Sequence, residues 1–217
     1  MKQILFLLFT LTTLTASAQL KAGTVTYSIK IESGMEDNAF AQEMMKDAEM
    51  VATFDSKNSS VKTTMGVFMT SNTIIQVKKK KAITLMDAMG TKYGVNMKLS
   101  ELKKQNNGTS SFTETNETKE ILGYMCKKGT FTGEDGTIGE VWYTTGIKGN
   151  MDGQQFFSIT DKGFILEESS TTNGVTLRIT ATSINSDSVN KDAFSLTIPE
   201  GYKIMTPEEF EALQTGG

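Results

Sequence analysis

The chain has 217 residues, a formal net charge of −3, one cysteine and no histidine. A charge this close to balance excludes the strongly basic surfaces with which proteins bind nucleic acids. Without histidine, the chain lacks the commonest general base and the commonest metal ligand, and a single cysteine cannot form an internal disulfide. We therefore expect no nucleic-acid partner, no metal site and no cofactor, and a fold that is stabilised by its core.

The first 18 residues have the pattern of a cleavable export signal. Lys2 supplies a positive charge, the apolar run ILFLLFTLTTL follows, and Ala16 and Ala18 are the small residues before the cleavage point. The run is shorter than the roughly 20 apolar residues that a bilayer requires, and no later segment of the sequence comes close. We expect a mature protein that begins at Gln19, is released to the periplasm or the extracellular space, has no transmembrane segment and is a monomer.

Alternation of apolar and polar residues predicts strands. In TVTYSIKIE, the side chains of Val25, Tyr27 and Ile29 share one face, and GVTLRITATS repeats the pattern from residue 174. Between these segments, short β-rich runs are separated by turn-forming residues such as DSKN and TGEDG. The sequence predicts a mainly β (α+β) fold with about ten antiparallel strands, in a single domain over residues 19–217.

A helix is predicted over residues 35–49. Ser33 and Glu36 have the spacing of a capping box, and Phe40 and Met44 then recur on one side of the helix. The run LSELKK, which begins at residue 99, indicates a second, short helix.

A third helix is predicted near the C-terminus. In MTPEEFEAL, Thr206 is placed to cap the helix, Pro207 takes the first helical position and Glu209 completes a capping box. Met205 and Phe210 have the spacing of a hydrophobic staple.

The one cysteine, Cys126, lies in the strand-like run ILGYMCKKGTF. A catalytic thiol needs a base, and the sequence has no histidine to serve as one. Lys127 and Lys128 could lower the pKa of the thiol, but in a strand at least one of them points to the opposite face. Free cysteine is among the most buried residue types, so we interpret Cys126 as a packing residue. An intermolecular disulfide and a redox-sensor thiol are the alternatives.

No pattern in the sequence indicates catalysis. The adjacent carboxylate pairs, such as Glu134 with Asp135 and Glu167 with Glu168, point to opposite faces of a strand and cannot share a substrate atom. The sequence has no nucleophile-elbow motif, no phosphate-binding glycine loop and no acidic metal-binding cluster. We expect a protein that is not an enzyme and has no catalytic residues.

Methionine is unusually frequent, with 13 residues. Three interpretations are open: ordinary core packing, an adaptable apolar cavity for a flexible ligand, and Cu(I) binding by thioethers. The irregular spacing of the methionines disfavours the third.

ILGYMCKKGTF continues into TGEDGTIGEVWYTTGI, and this pairing of I-x-G-Y-x-C-x-K with W-Y-T resembles the exported domain-of-unknown-function family 4412 and, more distantly, the GLPGLI family. The ending FSLTIPEGYKIM resembles the closing strand of that family. Both families look like relatives of the LolA/LolB lipoprotein-carrier superfamily. Over about residues 22–205, the resemblance implies a curved antiparallel half-barrel with helices over its open side and no catalytic residues. It also implies that a hairpin turn at Gly133 to Gly136 places Cys126 and Lys128 near Trp142.

Two functional hypotheses follow. The first is a periplasmic binding protein for an apolar ligand, such as a lipid or the acyl chain of a lipoprotein. The second is a structural or protein-interaction module of the cell envelope with a closed core, and a continuous apolar cavity would favour the first. We expect the pocket or its lid to be formed by Phe40, Met44, Met45, Met65, Met69, Tyr124 and Trp142.

Overall fold

The structure is a computed structural model that describes residues 19–105, 109–187 and 189–215. The expected export signal lies outside the described residues. The described part forms three α-helices, α1 Ala39–Met45, α2 Leu99–Gln105 and α3 Pro207–Thr215. The strands are β1 Gly23–Ser33, β2 Glu49–Phe54, β3 Asn58–Met65, β4 Met69–Gln76, β5 Lys81–Ala88, β6 Thr91–Lys98, β7 Thr109–Ile121, β8 Tyr124–Gly133, β9 Ile138–Thr144, β10 Phe164–Thr172, β11 Val175–Asn185 and β12 Lys203–Met205.

All twelve strands belong to one sheet, in the order β12-β6-β5-β4-β3-β2-β1-β11-β10-β9-β8-β7. Neighbouring strands are antiparallel except for β12, which pairs with β6 in parallel. The mainly β, antiparallel prediction is confirmed, but the sheet has twelve strands where about ten were expected. The three-residue strand β12 is too short to leave an alternating pattern in the sequence.

The central strand β1 joins the two halves of the chain. It pairs with β2 on one side and with β11 on the other. Its predicted alternation is confirmed, since Val25, Tyr27 and Ile29 are buried and the residues between them are partly exposed. The Tyr27 hydroxyl donates a hydrogen bond of 2.8 Å to the backbone carbonyl of Ile165 in β10. We call the face onto which these three side chains project the inner face.

The sheet is curved around its inner face. Thr84 of β5 and Phe131 of β8 line the same cavity, although their strands are third and eleventh in the strand order. In a flat sheet, eight strand spacings would separate them by about 38 Å. The sheet must therefore bend so that its two halves face each other, with β12 and β7 left as open edges.

Residues 145–163, between β9 and β10, lie inside this curve, and we call them the plug. Met151, Gln154 and Phe157 of the plug are buried. The Phe157 ring lies 4.7 Å from the ring of Phe164 and 6.3 Å from that of Tyr27, measured between centroids. This irregular segment can be buried because its polar groups, such as the side-chain amide of Gln154, find hydrogen-bond partners.

The helix α1 differs from the prediction. It begins after Asn38, whose side chain accepts a 3.0 Å hydrogen bond from the backbone N–H of Ala41, and not after Ser33, which ends β1. It ends at Met45, because Lys46 is extended and Asp47 has a left-handed backbone with φ 56°. The predicted helix over residues 35–49 is therefore wrong in its cap and its length. Asparagine and serine are about equally good caps, but Ser33 is held in β1, where it pairs with Thr176 of β11.

The two other predicted helices are confirmed. The Thr206 hydroxyl accepts a hydrogen bond from the backbone N–H of Glu209 over 3.2 Å, and the Glu209 carboxylate accepts one from the N–H of Thr206 over 2.9 Å. Leu99 and Leu102 of α2 and Phe210 of α3 pack against buried side chains of β4, β5 and β6. These helices and the plug thus lie on the inner face of the sheet.

Candidate binding cavity

A cavity of about 860 Å³ lies between the inner face, the plug and the helices α2 and α3. Its apolar lining consists of Met50, Val61, Met97, Leu102, Phe131, Phe156, Ile159, Ile179 and Phe210. Its uncharged polar lining includes Thr63, Ser71, Thr73, Thr84, Thr137, Gln154, Gln155 and Ser158. The cavity is therefore amphipathic rather than purely apolar.

Hydroxyl side chains form a band across β3, β4 and β5. The strand register places Thr63 opposite Ser71, and Thr73 opposite Thr84. The hydroxyl oxygens of Thr73 and Thr84 lie 3.1 Å apart and share a hydrogen bond. Because each pair lies on the same face as the inner side chains of β2, the band faces the cavity.

Gln154 fixes the plug against this band. Its side-chain amide donates hydrogen bonds to the hydroxyl of Ser59 over 3.1 Å and to the backbone carbonyl of Thr73 over 3.0 Å. Gln154 and Ser59 are both almost completely buried. The neighbouring plug residues Phe156 and Ile159 line the cavity. One wall of the cavity is therefore a loop that is held by buried polar contacts.

Glu168 is the buried acid of the cavity. It lies on β10 between Val141 of β9 and Ile179 of β11, with 8% of its surface exposed. Burial raises the pKa of its carboxyl group above the ordinary value, and a hydrogen bond with the Ser170 side chain partly offsets this. A carboxyl group has two oxygens and about four acceptor sites, so it can bind a ligand group as well as Ser170.

Glu167, the neighbour of Glu168, faces the other side of the sheet, as the sequence predicted for such a pair. Its carboxylate forms ion pairs with Lys119 over 2.8 Å and with Arg178 over 2.8 Å. Arg178 also pairs with Glu32. The two adjacent carboxylates therefore have separate environments, and only Glu168 faces the cavity.

Further charged side chains line the cavity: Lys104, Glu134, Asp135 and Glu211. The prediction that Glu134 and Asp135 point to opposite faces of a strand is wrong, because both lie in the turn between β8 and β9. Together with Glu168, the lining has four carboxyl groups and one ammonium group. Asp135 accepts a hydrogen bond from the backbone N–H of Thr137, which lowers the pKa of Asp135. The electrostatic balance of the lining is thus acidic.

A second cavity of about 510 Å³ lies on the other side of the plug. It is lined by Met151, Phe157 and Phe164, and by an ion pair between Lys103 and Asp152 with an N–O distance of 2.6 Å. The ion pair ties α2 to the plug, because Lys103 belongs to that helix and Asp152 to the loop.

The residues that were expected to form a lid lie away from the larger cavity. Phe40 is 63% exposed, and its ring contacts that of Phe68 at 5.3 Å between centroids. Met44 is half-buried, and Met45 packs against the main core. None of the α1 residues is among the described side chains that line the cavity of 860 Å³. Their role in ligand binding stays a prediction.

Met65 and Met69 face each other where the β3–β4 hairpin turns, and Met69 packs against the cluster under α2 and α3. Neither is among the described residues lining the larger cavity. Their part in a pocket also stays a prediction.

The predicted neighbourhood of the cysteine is confirmed. The strands β8 and β9 are joined by a turn at Gly133 and Gly136, and their register places Lys128 opposite Trp142. Cys126 lies two residues before Lys128 and therefore on the same face of β8. The Lys119 ammonium lies 4.2 Å from the centre of the Trp142 ring, a cation–π contact. Trp142 therefore packs under lysines, on the face of the sheet opposite to Val141 and the cavity.

Cys126 itself is a free, fully buried thiol. It donates a weak hydrogen bond to the carbonyl of Tyr124 over 3.4 Å, and burial raises the pKa of the thiol to about 11. Tyr124 packs partly buried against the same core. These observations support the interpretation of Cys126 as a packing residue.

The polar side of the cavity was missed in the sequence. Glu168 follows Leu166 in FILEESSTT, and Thr73 precedes Ile75 in NTIIQ, so each lies two residues from a buried apolar residue. That spacing places the polar side chain on the same strand face as the apolar one. A search for polar residues at inner positions could have identified them.

Among the described residues, no group of three or more cysteine and acidic side chains is placed to hold a metal ion. Within the same part of the chain, no helix has the length and apolar character needed to cross a membrane.

Residues 88–200, which run from the end of β5 to the segment before β12, match the sequence model of a family described as "N-glycanase peptide, N-terminal domain". The chain belongs to this family. The family match covers the plug, Glu168 and the Cys126–Trp142 neighbourhood. No protein in a search of curated proteins matches the chain.

Among solved structures, PNGF-II has the same fold, with a TM-score of 0.55 and 18% identity over 89% of this chain and 32% of that one. The chain thus spans about a third of the length of PNGF-II. The lipoprotein LppX of Mycobacterium tuberculosis has a TM-score of 0.38 and 12% identity, over 79% of this chain and 89% of that one. MucB has a TM-score of 0.37 and 8% identity, over 83% of this chain and 59% of that one. Both TM-scores are below 0.5, so these two likenesses do not establish a common fold. The resemblance to family 4412, to GLPGLI and to the LolA/LolB superfamily therefore stays a prediction.

Proposed function

We propose that this protein is a non-enzymatic binding protein of the cell envelope that holds an apolar ligand, such as a lipid or an acylated chain, against the inner face of its sheet. The observation that carries the proposal is the cavity of about 860 Å³ between the sheet, the plug and two helices. Ligand pockets typically have volumes of about 300–1,000 Å³ and combine apolar walls with a few polar groups. The cavity meets both conditions.

The apolar lining suits a flexible chain. Transfer of a chain from water stabilises it by about 0.8 kcal/mol per methylene, or roughly 12 kcal/mol for sixteen carbons. Met50 and Met97 can adapt to an irregular ligand because their unbranched thioether side chains re-pack easily, and Phe131 and Phe156 supply large apolar surfaces. Methionines in the lining support the interpretation of the frequent methionines as parts of an adaptable apolar cavity, although Met50 and Met97 were not among the pocket residues expected from the sequence.

The absence of catalysis is part of the proposal. The one thiol is buried, and its raised pKa keeps it protonated near neutral pH. Export to the periplasm or the extracellular space and a monomeric state, both expected from the sequence, belong to the same proposal.

The test is binding of N-phenyl-1-naphthylamine, a neutral apolar dye that fluoresces when it leaves water. We expect the wild-type protein to bind it and the variant Ser71→Trp to bind it at least tenfold more weakly, because the indole ring occupies the cavity. Thr70→Trp is the matched control, since Thr70 is the adjacent strand residue on the opposite face. Equal loss in both variants, or no binding by the wild type, would contradict the proposal.

A second function is favoured by the plug and by the family. The buried plug already fills part of the inner face, as expected for a closed interaction module. The chain also spans only 32% of PNGF-II, so the same fold exists there as one part of a larger protein. Native mass spectrometry of the protein from its own source separates the two functions. A copurified lipid supports the carrier, and a copurified protein without lipid supports the module.

A further inference from the structure

The lining of the larger cavity is selective as well as amphipathic. Its apolar walls can hold an acyl chain of any chemical type, whereas its hydroxyl, amide and carboxyl groups favour some ligand head groups over others. Glu168 has more than nine-tenths of its surface buried and faces the cavity on β10. The carboxyl group already has a hydrogen bond with the Ser170 side chain, and its remaining acceptor sites can take a hydrogen bond from a ligand.

The carboxyl groups around the cavity disfavour an acidic head group, and the buried Glu168 does so most strongly. Glu134, Asp135 and Glu211 line the cavity together with Glu168, against the ammonium of Lys104. Glu134, Asp135 and Glu211 are exposed, so water screens their charges, and the buried carboxyl group of Glu168 is the one that decides. A fatty-acid carboxylate or a phosphate placed against Glu168 would be desolvated beside another acidic group, which is unfavourable. A cation or a neutral hydroxyl group would meet no such repulsion.

We propose that the ligand is a non-anionic amphiphile whose amino or hydroxyl head group donates a hydrogen bond to a carboxyl oxygen of Glu168, while its chain lies along Met50, Phe131 and Phe156. This inference rests on the proposed function, because it assigns the chemistry of the ligand in the same cavity. The neighbouring hydroxyl band of Thr63, Ser71, Thr73 and Thr84 supplies further partners for the head group.

The burial of Glu168 favours this chemistry in two ways. Its raised pKa shows that the carboxylate form is poorly solvated, so a bound ammonium group would stabilise that form. A bound hydroxyl group can exchange hydrogen bonds with either form of the carboxyl group. Both head groups are therefore compatible with the site, and the experiment must distinguish them.

The experiment uses the full mature protein, with N-phenyl-1-naphthylamine bound in the cavity. Three competitors share a twelve-carbon chain and differ in the head group: dodecylamine, dodecanol and dodecanoate, each used below the concentration at which it forms micelles. We expect dodecylamine or dodecanol to displace the dye at a concentration at least tenfold lower than dodecanoate. The better of the two identifies the head group as an amine or a hydroxyl.

Two variants assign this selectivity to Glu168. Glu168→Gln keeps the shape of the side chain and one acceptor oxygen. It should therefore weaken the binding of dodecylamine about tenfold and that of dodecanol less than threefold. Glu168→Leu removes the acceptor oxygens, so the concentrations at which the three competitors displace the dye should come to within about threefold of one another. The control is Glu140→Gln, a carboxylate on the opposite face that pairs with Lys128 and should leave the selectivity unchanged.

The possible failures can be told apart. If the wild type does not bind the dye, the proposed function fails and this inference falls with it. If the dye binds but dodecanoate competes as well as the other two, this inference alone is overturned, whether or not the Glu168 variants fold. Selectivity that survives in both Glu168 variants would also overturn it.

Discussion

The side-chain amide of Gln154 in the plug donates a hydrogen bond to the hydroxyl of Ser59 on β3, over 3.1 Å and across 95 positions of sequence. A second bond, to the carbonyl of Thr73, ties the same amide to β4. The irregular loop between β9 and β10 is thereby fixed on the inner face of strands from the other half of the chain. This contact gives the cavity its loop-formed wall.

Gln154→Ala should lower the free energy of unfolding by about 1–3 kcal/mol, because it leaves the buried Ser59 hydroxyl and Thr73 carbonyl without this partner. Urea denaturation measures the change. Gln155→Ala is the control, since Gln155 is exposed and its replacement should change stability by less than about 0.5 kcal/mol. Equal effects of the two substitutions would show that the plug is not held by the amide.

Cys126→Ser should cost about 1–3 kcal/mol of stability, because it buries a hydroxyl group without an assured partner. We expect the dye-binding affinity to be unchanged, since Cys126 is not among the residues that line either cavity. Thermal unfolding and dye titration measure the two effects. Rapid reaction of the native thiol with a labelling reagent at neutral pH would contradict its burial.

The same thiol predicts a dependence on alkaline pH. Its pKa is raised from 9.0 to about 11 by burial, so the folded state holds the proton more tightly than the unfolded state does. The corresponding stability is fully present below pH 9 and is lost as the pH rises through 11. Relative to Cys126→Ala, the wild type should therefore lose stability between pH 9 and 11, as measured by denaturation at fixed pH values. Parallel curves for the two proteins would rule this out.

Glu168 predicts a pH dependence in the acidic to neutral range. Its folded pKa is raised above the ordinary value of 4.5, so its contribution to stability is present below that value and is lost as the pH rises through the folded pKa. Glu168→Gln cannot ionise, and its stability relative to the wild type should therefore increase as the pH rises above about 4.5. Denaturation of both proteins over a pH series measures this. A constant difference would indicate that Glu168 is solvated in the folded protein.

Met44→Glu tests where a ligand enters. The sequence placed Met44 in a lid, whereas the structure places it half-buried on α1 and does not include it in the cavity lining. We expect the variant to bind N-phenyl-1-naphthylamine within about twofold of the wild type and to keep its strand content by circular dichroism. Loss of dye binding with an intact fold would restore the lid that was predicted from the sequence.

The sequence determined those features that depend on short-range patterns. The alternation in β1, the capping box of α3 and the hairpin at Gly133 and Gly136 are all local, and each is present as predicted. The burial of Cys126 was also predicted, because the sequence has no histidine to act as a base and a free cysteine usually packs as a small hydrophobic residue. By contrast, the competing caps Ser33 and Asn38 are a few residues apart, and the pattern alone favoured the wrong one.

The residues that face the cavity are brought together by long-range contacts. Thr84 and Phe131 meet because the sheet bends between strands that are far apart in its order, and Gln154 meets Ser59 because a loop without a periodic pattern lies inside that bend. Neither contact has a local signature, since the free energy that stabilises it comes from burial across the whole sheet. Strand alternation places Glu168 and Glu167 on opposite faces, as the sequence predicted, but only the bend of the sheet encloses the face of Glu168 as a cavity and leaves Glu167 in an ion-pair network outside it.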